Sequence, residues 1–266
     1  MSAVLSIGLS GAGGRMGGAF TRAIHANPSL RVAAAAEHKD HTAQGLDLGA
    51  HHKVGLIGVN ISDIASLAVS DVVIDFSLPD GTDTLVNTLD GVPLVIGTTG
   101  LGLNTKTAIE AYAEKSPVVQ ASNYATGVVL LNELARLSSL VLEDYDLEIV
   151  ERHHRDKVDA PSGTALSLAQ SLADARGWEA SVYSHGRQGD TGVRPKDQIG
   201  IHSVRAGDAV GEHVVELAGP GETVRLQHIA TSREVFAFGA LRAAQWVVNQ
   251  PPGLYDMRNV LGLRVG

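Results

Sequence analysis

The stretch "SIGLSGAGGRMGGAF", Ser6–Phe20, decides how the first half of the chain is read. An apolar run ends at Ser10, glycines fall at Gly11, Gly14 and Gly17, and a helical pattern starts at once. The spacing is Gly-x-x-Gly-x-x-Gly; a strict Gly-x-Gly-x-x-Gly would need glycine where Met16 stands. The physics is the same in either spacing. The first glycine permits a tight turn out of the strand, and the others let backbone approach a pyrophosphate at a helix N-terminus. Taken alone the loop is weak evidence, because glycine-rich strand-to-helix turns also serve packing.

Working outward, the segments Val4–Ser10, Leu30–Glu37, Asp71–Ser77, Val92–Gly100 and Ser116–Asn123 each hold a short apolar run. Continuous rather than alternating apolarity suits strands covered on both faces, hence a parallel sheet with helices on each side. That is a doubly wound α/β arrangement over residues 1–124. Glu37 ends the second strand, 20 residues after Gly17. A dinucleotide fold places there the acid that holds the ribose hydroxyls. His38 and Lys39 follow and could accept a 2′-phosphate, so both NADH and NADPH are expected as cofactors. The loops "GTTG" (Gly97–Gly100) and "ASNY" (Ala121–Tyr124) each follow an apolar run. In an open α/β sheet, ligands sit beyond the carboxyl ends of strands, so these loops are expected to line the nicotinamide half of a site.

After about residue 125 the rhythm changes. "DLEIVER", "ASVYSH", "IGIHSVR", "EHVVELAG" and "TVRLQHIA" read as strands, with turn signals "AGDAVG" and "PGE" between the last three. These predict an antiparallel meander in a smaller α+β domain with a largely antiparallel sheet, from about residue 125 onward. A helix is predicted from about Ser232 to Val248, with Thr231 and Glu234 as a capping box and Pro251-Pro252 as its stop.

Composition excludes several classes. The 266 residues include no cysteine, so disulfides, thiolate metal sites and cysteine nucleophiles are ruled out. A formal charge of −8 argues against general nucleic-acid binding. No apolar run of about 18 residues predicts a membrane span. The start "MSAVLSIGLSG" has no basic residue before Arg15 and lacks a signal peptide's charged leader.

The second informative stretch is "VERHHRDKVDAPSGTAL", Val150–Leu166. His153 and His154 could be metal ligands, but neighbours on an extended segment point opposite ways and no further histidine or cysteine accompanies them at ligand spacing. No metal is expected. A solvated charged loop is the bland reading of any single residue here. The catalytic reading uses them together. Pro161 is placed in a first helical turn, and Ser162, Gly163 and Thr164 supply hydroxyls and open amides at the positive end of a helix. Lys157 adds a full charge, and a histidine supplies a proton near neutral pH. A carboxylate-bearing substrate that takes a hydride and then a proton would use all of these parts.

The segments "GAGGRMG", "IGTTG", "ASNYATGV", "ERHHRDKVDAPSGTA" and "VRAGDAVGEH" together resemble the 4-hydroxy-tetrahydrodipicolinate reductase (dihydrodipicolinate reductase) family, over essentially the whole length. The resemblance implies a Rossmann-like nucleotide domain (1–124) joined by a C-terminal segment (235–266), with 125–234 binding substrate and building a homotetramer. It also implies an NAD(P)H-dependent step of diaminopimelate and lysine biosynthesis, in the cytoplasm, on a small dicarboxylate. Position by position, Gly11, Ala12, Gly13, Gly14, Arg15, Met16 and Glu37 match the cofactor loop and ribose acid. His38 stands where some members have arginine. Gly97, Thr98, Thr99, Ala121, Ser122, Asn123 and Tyr124 match the nicotinamide-side loops. His153 matches the proton donor, Lys157 the second catalytic donor and carboxylate partner, and His154, Gly163 and Thr164 substrate contacts, with Ser162 alongside. The implied reaction is loss of water to a conjugated cyclic imine, hydride addition at ring C4 and quenching by a proton.

Overall fold

The computed structural model describes residues 4–263. The outermost parts of the predicted ranges and of the N-terminal leader reading, residues 1–3 and 264–266, lie outside the described residues. In chain order the elements are β1 (Leu5–Ser10), α1 (Arg15–His25), β2 (Leu30–Ala36), α2 (Leu48–His51), β3 (Ile61–Ser62), a 3₁₀ turn (Ile64–Val69), β4 (Val72–Asp75), α3 (Pro79–Thr88), β5 (Leu94–Ile96), α4 (Leu103–Ala113) and β6 (Pro117–Gln120). There follow α5 (Thr126–Val141), β7 (Asp146–His153), α6 (Gly163–Arg176), β8 (Tyr183–His185), β9 (Ile199–Arg205), β10 (Gly211–Gly219) and β11 (Glu222–Ala230). The chain ends with α7 (Glu234–Val247), β12 (Gly253–Tyr255) and α8 (Met257–Leu261). Two compact units result: Met1–Thr126 with Glu234–Gly266, and Gly127–Arg233.

The first unit is built on a seven-stranded sheet of order β12-β6-β5-β4-β1-β2-β3, parallel throughout. Its short strands are apolar without alternation because both faces are covered. Val72, Val73 and Ile74 of β4 and Leu94, Val95 and Ile96 of β5 are all fully buried. One face packs under α3 and α4 through Leu85, Val86, Ile109 and Tyr112. Each such side chain removed from water contributes about 1.5–3 kcal/mol. From β1 the chain winds outward to β2 and β3, then returns to β4 on the other side of β1. The strand order therefore reverses between β1 and β4, where an open α/β sheet leaves a crevice for ligands.

The second unit has a five-stranded mixed sheet of order β11-β10-β7-β9-β8. Here the strands do alternate: in β7 Leu147, Ile149 and Glu151 are buried, and in β10 Gly211, His213, Val215 and Leu217. The alternation turns one face toward α5 and α6, where Leu131, Ala135, Leu168 and Leu172 pack on Ile149, Val215 and Leu217. The predicted meander is corrected. β10 and β11 form the expected hairpin, but β7 inserts between β9 and β10 and pairs parallel with β9. Turn residues report that the chain reverses; they do not report which strand fills the space beside it. Two starts also move. α7 begins at Glu234, later than a Thr231 cap places it. Pro161 follows a cis peptide bond and lies outside α6, whose N-cap is Ser162. Among the described residues no helix is long and apolar enough to cross a membrane.

Candidate functional site

In the first unit the glycine loop leaves β1 beside the strand-order reversal. Gly11 has φ +75°, and a methyl group there would lie 2.6 Å from the Phe76 carbonyl oxygen. At Gly17 a methyl group would fall 2.1 Å from the Ala12 carbonyl oxygen, so the first turn of α1 closes onto the loop only without a side chain. Gly14 is the N-cap of α1 and offers no side-chain cap, which leaves first-turn amides facing outward beside exposed Arg15 and half-buried Met16. Glu37 reaches this loop directly: its Oε2 accepts from the Gly13 amide at 3.0 Å, and its Oε1 from the His38 amide at 2.9 Å. The predicted acid and cradle are thus in contact. His38 is exposed, with Asp40 3.8 Å away.

Histidines that sequence reasoning passed over support the loop from below. His52 Nε2 lies 2.7 Å from the Ala12 carbonyl and His51 Nε2 3.1 Å from the Gly13 carbonyl. A carbonyl only accepts, so each ring carries its proton on Nε2. Burial pushes the His52 pKa below the ordinary imidazole value, and the Ala12 bond opposes that shift. The sequence signal was present as "AHHKV", Ala50–Val54, but nothing in its spacing tied it to a loop about 40 residues earlier.

The loops after β5 and β6 end beside the same crevice, and their residues divide by exposure. Thr99 and Ser122 are exposed and Gly97, Ala121 and Asn123 half-buried, whereas Thr98 and Tyr124 are buried. Thr98 donates its hydroxyl at 2.9 Å to Asp75 Oδ2, which also takes the Thr82 hydroxyl. Tyr124 is 1% exposed, directs its hydroxyl at the Ile96 and Val119 carbonyls, and packs its ring on Phe76. Burial drives its phenol pKa well above the ordinary value, with Asp75 adding to the shift. These two side chains brace the loops from behind. Asp75 and Phe76, which do that bracing, carry no sequence signal beyond the apolar strand they end.

In the second unit the strand register assembles the other cluster. On the helix-covered face the rows run Leu147–Leu217, then Ile149–Val215, then Glu151–His213, with Ser203 and Arg205 beside Glu151 and His153 on β9. The apolar rows thus give way to polar ones at the carboxyl end of β7. Glu151 is 0% exposed. Its carboxylate accepts from His153 Nδ1 at 2.7 Å, from Arg205 Nη1 and Nη2 at 2.7 Å each, and from the Ser162 amide at 3.1 Å. Burial alone would raise its pKa; the Arg205, His153, Ser203 and Ser162 bonds outweigh it and hold the value at about 2. Burial lowers the His153 pKa below the ordinary imidazole value, against an upward pull from Glu151 and with Lys157 and Arg205 adding to the fall.

His154 turns the other way, and Arg233 donates to its Nε2 at 3.4 Å. Lys157 Nζ meets both carboxylate oxygens of Asp159 at 2.8 Å. Ser162 is 2% exposed: its Oγ caps α6 by accepting from the Ala165 amide at 3.2 Å and lies 3.1 Å from His213 Nε2. Its hydroxyl is therefore committed to the helix start, while exposed Gly163 and half-buried Thr164 form the first turn. His213, 4% exposed, stacks edge-on to His153 at 5.3 Å. Burial and the neighbouring His153 bring its pKa down to about 4. Sequence reasoning missed Glu151, Asp159, Arg205 and His213. For Glu151 a signal existed: two residues before His153 on a strand means the same face.

Chemically, the second unit offers an imidazole with a buried carboxylate behind it, an ammonium, and the N-terminus of a 14-residue helix. The first offers an uncapped helix start and a ribose-type acid. Comparison with known proteins agrees along the whole chain. The model for "Dihydrodipicolinate reductase, N-terminus" matches residues 5–124 and that for "Dihydrodipicolinate reductase, C-terminus" residues 127–261. A 4-hydroxy-tetrahydrodipicolinate reductase of Halorhodospira halophila is 49% identical over 97% of this chain and 99% of its own. One of Thiobacillus denitrificans is 46% identical over 97% and 98%. A dipicolinate-bound dihydrodipicolinate reductase of Paenisporosarcina sp. TG-14 superposes with a TM-score of 0.74 at 27% identity, covering 95% of this chain and 97% of that one.

Proposed function

This chain belongs to the dihydrodipicolinate reductase family, and from that premise we propose that it reduces 4-hydroxy-tetrahydrodipicolinate, through the dehydrated cyclic imine, to tetrahydrodipicolinate in diaminopimelate and lysine biosynthesis. It is an NAD(P)H-dependent oxidoreductase. The observation that carries the substrate reading is the second unit's cluster. There an imidazole backed by a buried carboxylate stands in one short segment with a lysine and a helix N-terminus, in a chain that matches reductases from end to end.

The first unit's residues fit a dinucleotide. The positive φ of Gly11, the uncapped start of α1 and the reach of Glu37 to Gly13 make a cradle that a Cβ would fill. Gly11, Ala12, Gly13, Gly14, Arg15 and Met16 would hold the pyrophosphate, and Glu37 the ribose hydroxyls. His38, exposed and beside Glu37, would tolerate a 2′-phosphate, so both NADH and NADPH are used. Gly97, Thr99, Ala121, Ser122 and Asn123 would take the nicotinamide side, with Thr98 and Tyr124 fixing those loops. The nicotinamide, when bound, supplies the hydride.

The remaining chemistry is the chain's own. Lys157 holds a ring carboxylate, releasing Asp159 or sharing it, and the first-turn amides at Gly163 and Thr164 add donors beneath it. His154 contacts the ring's other edge. Ser162 serves by keeping that helix start in place. His153 gives its Nε2 proton to the carbon that carries the developing negative charge. The family reading further supports a homotetramer in the cytoplasm. On the sheet face away from α5 and α6, Val150 pairs with Val214, and in the next row exposed Ile229 and Val204 flank the Arg152–Glu212 ion pair, a mixed face that a second copy would cover. A chain without cysteine needs no oxidising compartment.

The test is a coupled assay in which an upstream synthase generates the substrate and oxidation of each cofactor is followed. Cofactor should be consumed with the cyclic imine and not with aspartate or oxaloacetate. Consumption with oxaloacetate and ammonium, or reduction of the oxidised cofactor by aspartate, would make the chain a different amino-acid dehydrogenase, and binding without any consumption would make it a dinucleotide sensor.

A further inference from the structure

We infer that Glu151 is a positioning residue that makes Nε2 of His153 the one proton-exchanging atom of its ring and ties that ring to the start of α6. The inference rests on the reading of His153 as proton donor and names a group that this reading leaves out.

The strand sets the relation. Glu151 and His153 are two apart on β7 and share its helix-covered face, so their side chains are neighbours without any loop to arrange. Glu151 has no exposure, and a carboxylate is kept ionised in such a place only when its lone pairs are satisfied. They are. Oε2 takes His153 Nδ1 and Arg205 Nη1, and Oε1 takes Arg205 Nη2 and the Ser162 amide. Arg205 is itself tethered, donating at 2.7 Å to the backbone carbonyl of Asp159, the residue whose carboxylate pairs with Lys157.

An ionised carboxylate accepts only, so Nδ1 of His153 keeps its proton in both charge states. The proton that comes and goes must be the one on Nε2. That atom lies beside Gly211, where a methyl group would come within 3.1 Å of it, so the glycine keeps room at Nε2 that a side chain would take. One buried carboxylate thus fixes the ring plane, the tautomer and, through Ser162, the N-cap of the helix that faces the substrate's carboxylate. A charge this completely paired could also be merely structural, and the two roles predict different things.

The experiment compares Glu151→Gln, His153→Gln and the double variant in the coupled assay, with cofactor affinity as the control for folding of the first unit. Arg205 holds the amide oxygen of a glutamine, which turns its NH₂ toward Nδ1 and favours the wrong tautomer. Turnover by Glu151→Gln should fall at least about tenfold and at most by the full contribution of a general acid, about 10²–10⁴-fold. On the His153→Gln background the same substitution should cost almost nothing, because it acts through the ring. The limb of the rate profile that reports His153 should move to lower pH, since the carboxylate's upward pull is lost while Lys157, Arg205 and His213, the other groups facing the ring, remain. In ¹⁵N spectra of the wild type, Nδ1 of His153 should stay protonated across the titration. Additive losses in the double variant, or protonation that moves to Nε2 in the neutral wild-type ring, overturn the inference. Should Glu151→Gln not fold, the wild-type spectra decide alone. Near-normal turnover by His153→Gln is a different failure: it removes the proton-donor reading on which this one stands.

Discussion

Lys157 and Glu37 illustrate how a side chain's partner in the free protein predicts what its loss will do. Lys157 is held by Asp159, a carboxylate that stands where a substrate carboxylate would compete. Lys157→Ala should therefore raise the Michaelis constant as well as lower turnover, through loss of a charge-assisted bond worth about 1.5–3 kcal/mol. Steady-state kinetics at several substrate concentrations separate the two effects. Glu37 satisfies the Gly13 amide, and its replacement by alanine should weaken NADH more than NADPH, because the bonds proposed for it are to free ribose hydroxyls. Fluorescence titration with both cofactors checks this, and equal losses would leave Glu37 as a structural acid only. The residue types at these positions were legible in the sequence. What was not legible is which of them face outward. Ser162, Thr98 and Tyr124 sit in the expected segments, yet their side chains are consumed by a helix cap, by Asp75 and by backbone carbonyls. Neighbours in sequence share a loop without sharing an orientation, and orientation depends on strands that arrive from far along the chain.

At the scale of elements, the glycine turn and the α6 start are each one substitution from failure. Gly17→Ala would push a methyl group to 2.1 Å from the Ala12 carbonyl. The loop must shift, at a cost of about 1–3 kcal/mol in stability, and cofactor affinity should fall while the second unit keeps its protection in hydrogen exchange. Ser162→Ala removes an N-cap worth about 0.5–2 kcal/mol and strands the His213 Nε2 beside it. Amide exchange should accelerate first in residues 163–167. Unchanged exchange there would mean that the cap contributes nothing and that the helix start is held by Glu151 alone. The parallel sheet was readable because unbroken apolar runs have few alternatives. The order of the mixed sheet was not: β7 pairs with two strands that lie about 50 and 65 residues further on, and no local pattern encodes which of them it separates.

For the whole molecule, the buried histidine of the second unit sets an acid limit. The folded-state pKa of His213 is about 4 against an ordinary 6.5, so the unfolded chain binds a proton that the folded one refuses. That contribution is intact above about pH 6.5 and is lost as pH falls toward 4. Glu148 and Glu151, held at about 2 against 4.5, extend the loss to lower pH with the same sign. Between about pH 7 and pH 5 the His213 contribution alone should reduce stability by about 1–2 kcal/mol. Urea midpoints at the two values, for wild type and His213→Gln, should show a smaller drop in the variant; equal drops would assign the effect elsewhere. The second unit is proposed to do the proton chemistry of a reductase whose cofactor the first unit would bind. The most direct measurement is turnover and cofactor dissociation for wild type and His153→Gln on the enzymatically generated imine. The expected result is turnover lower by about 10²–10⁴-fold with cofactor affinity unchanged. Turnover within about twofold of the wild type, or cofactor affinity falling in step with it, would contradict the assignment.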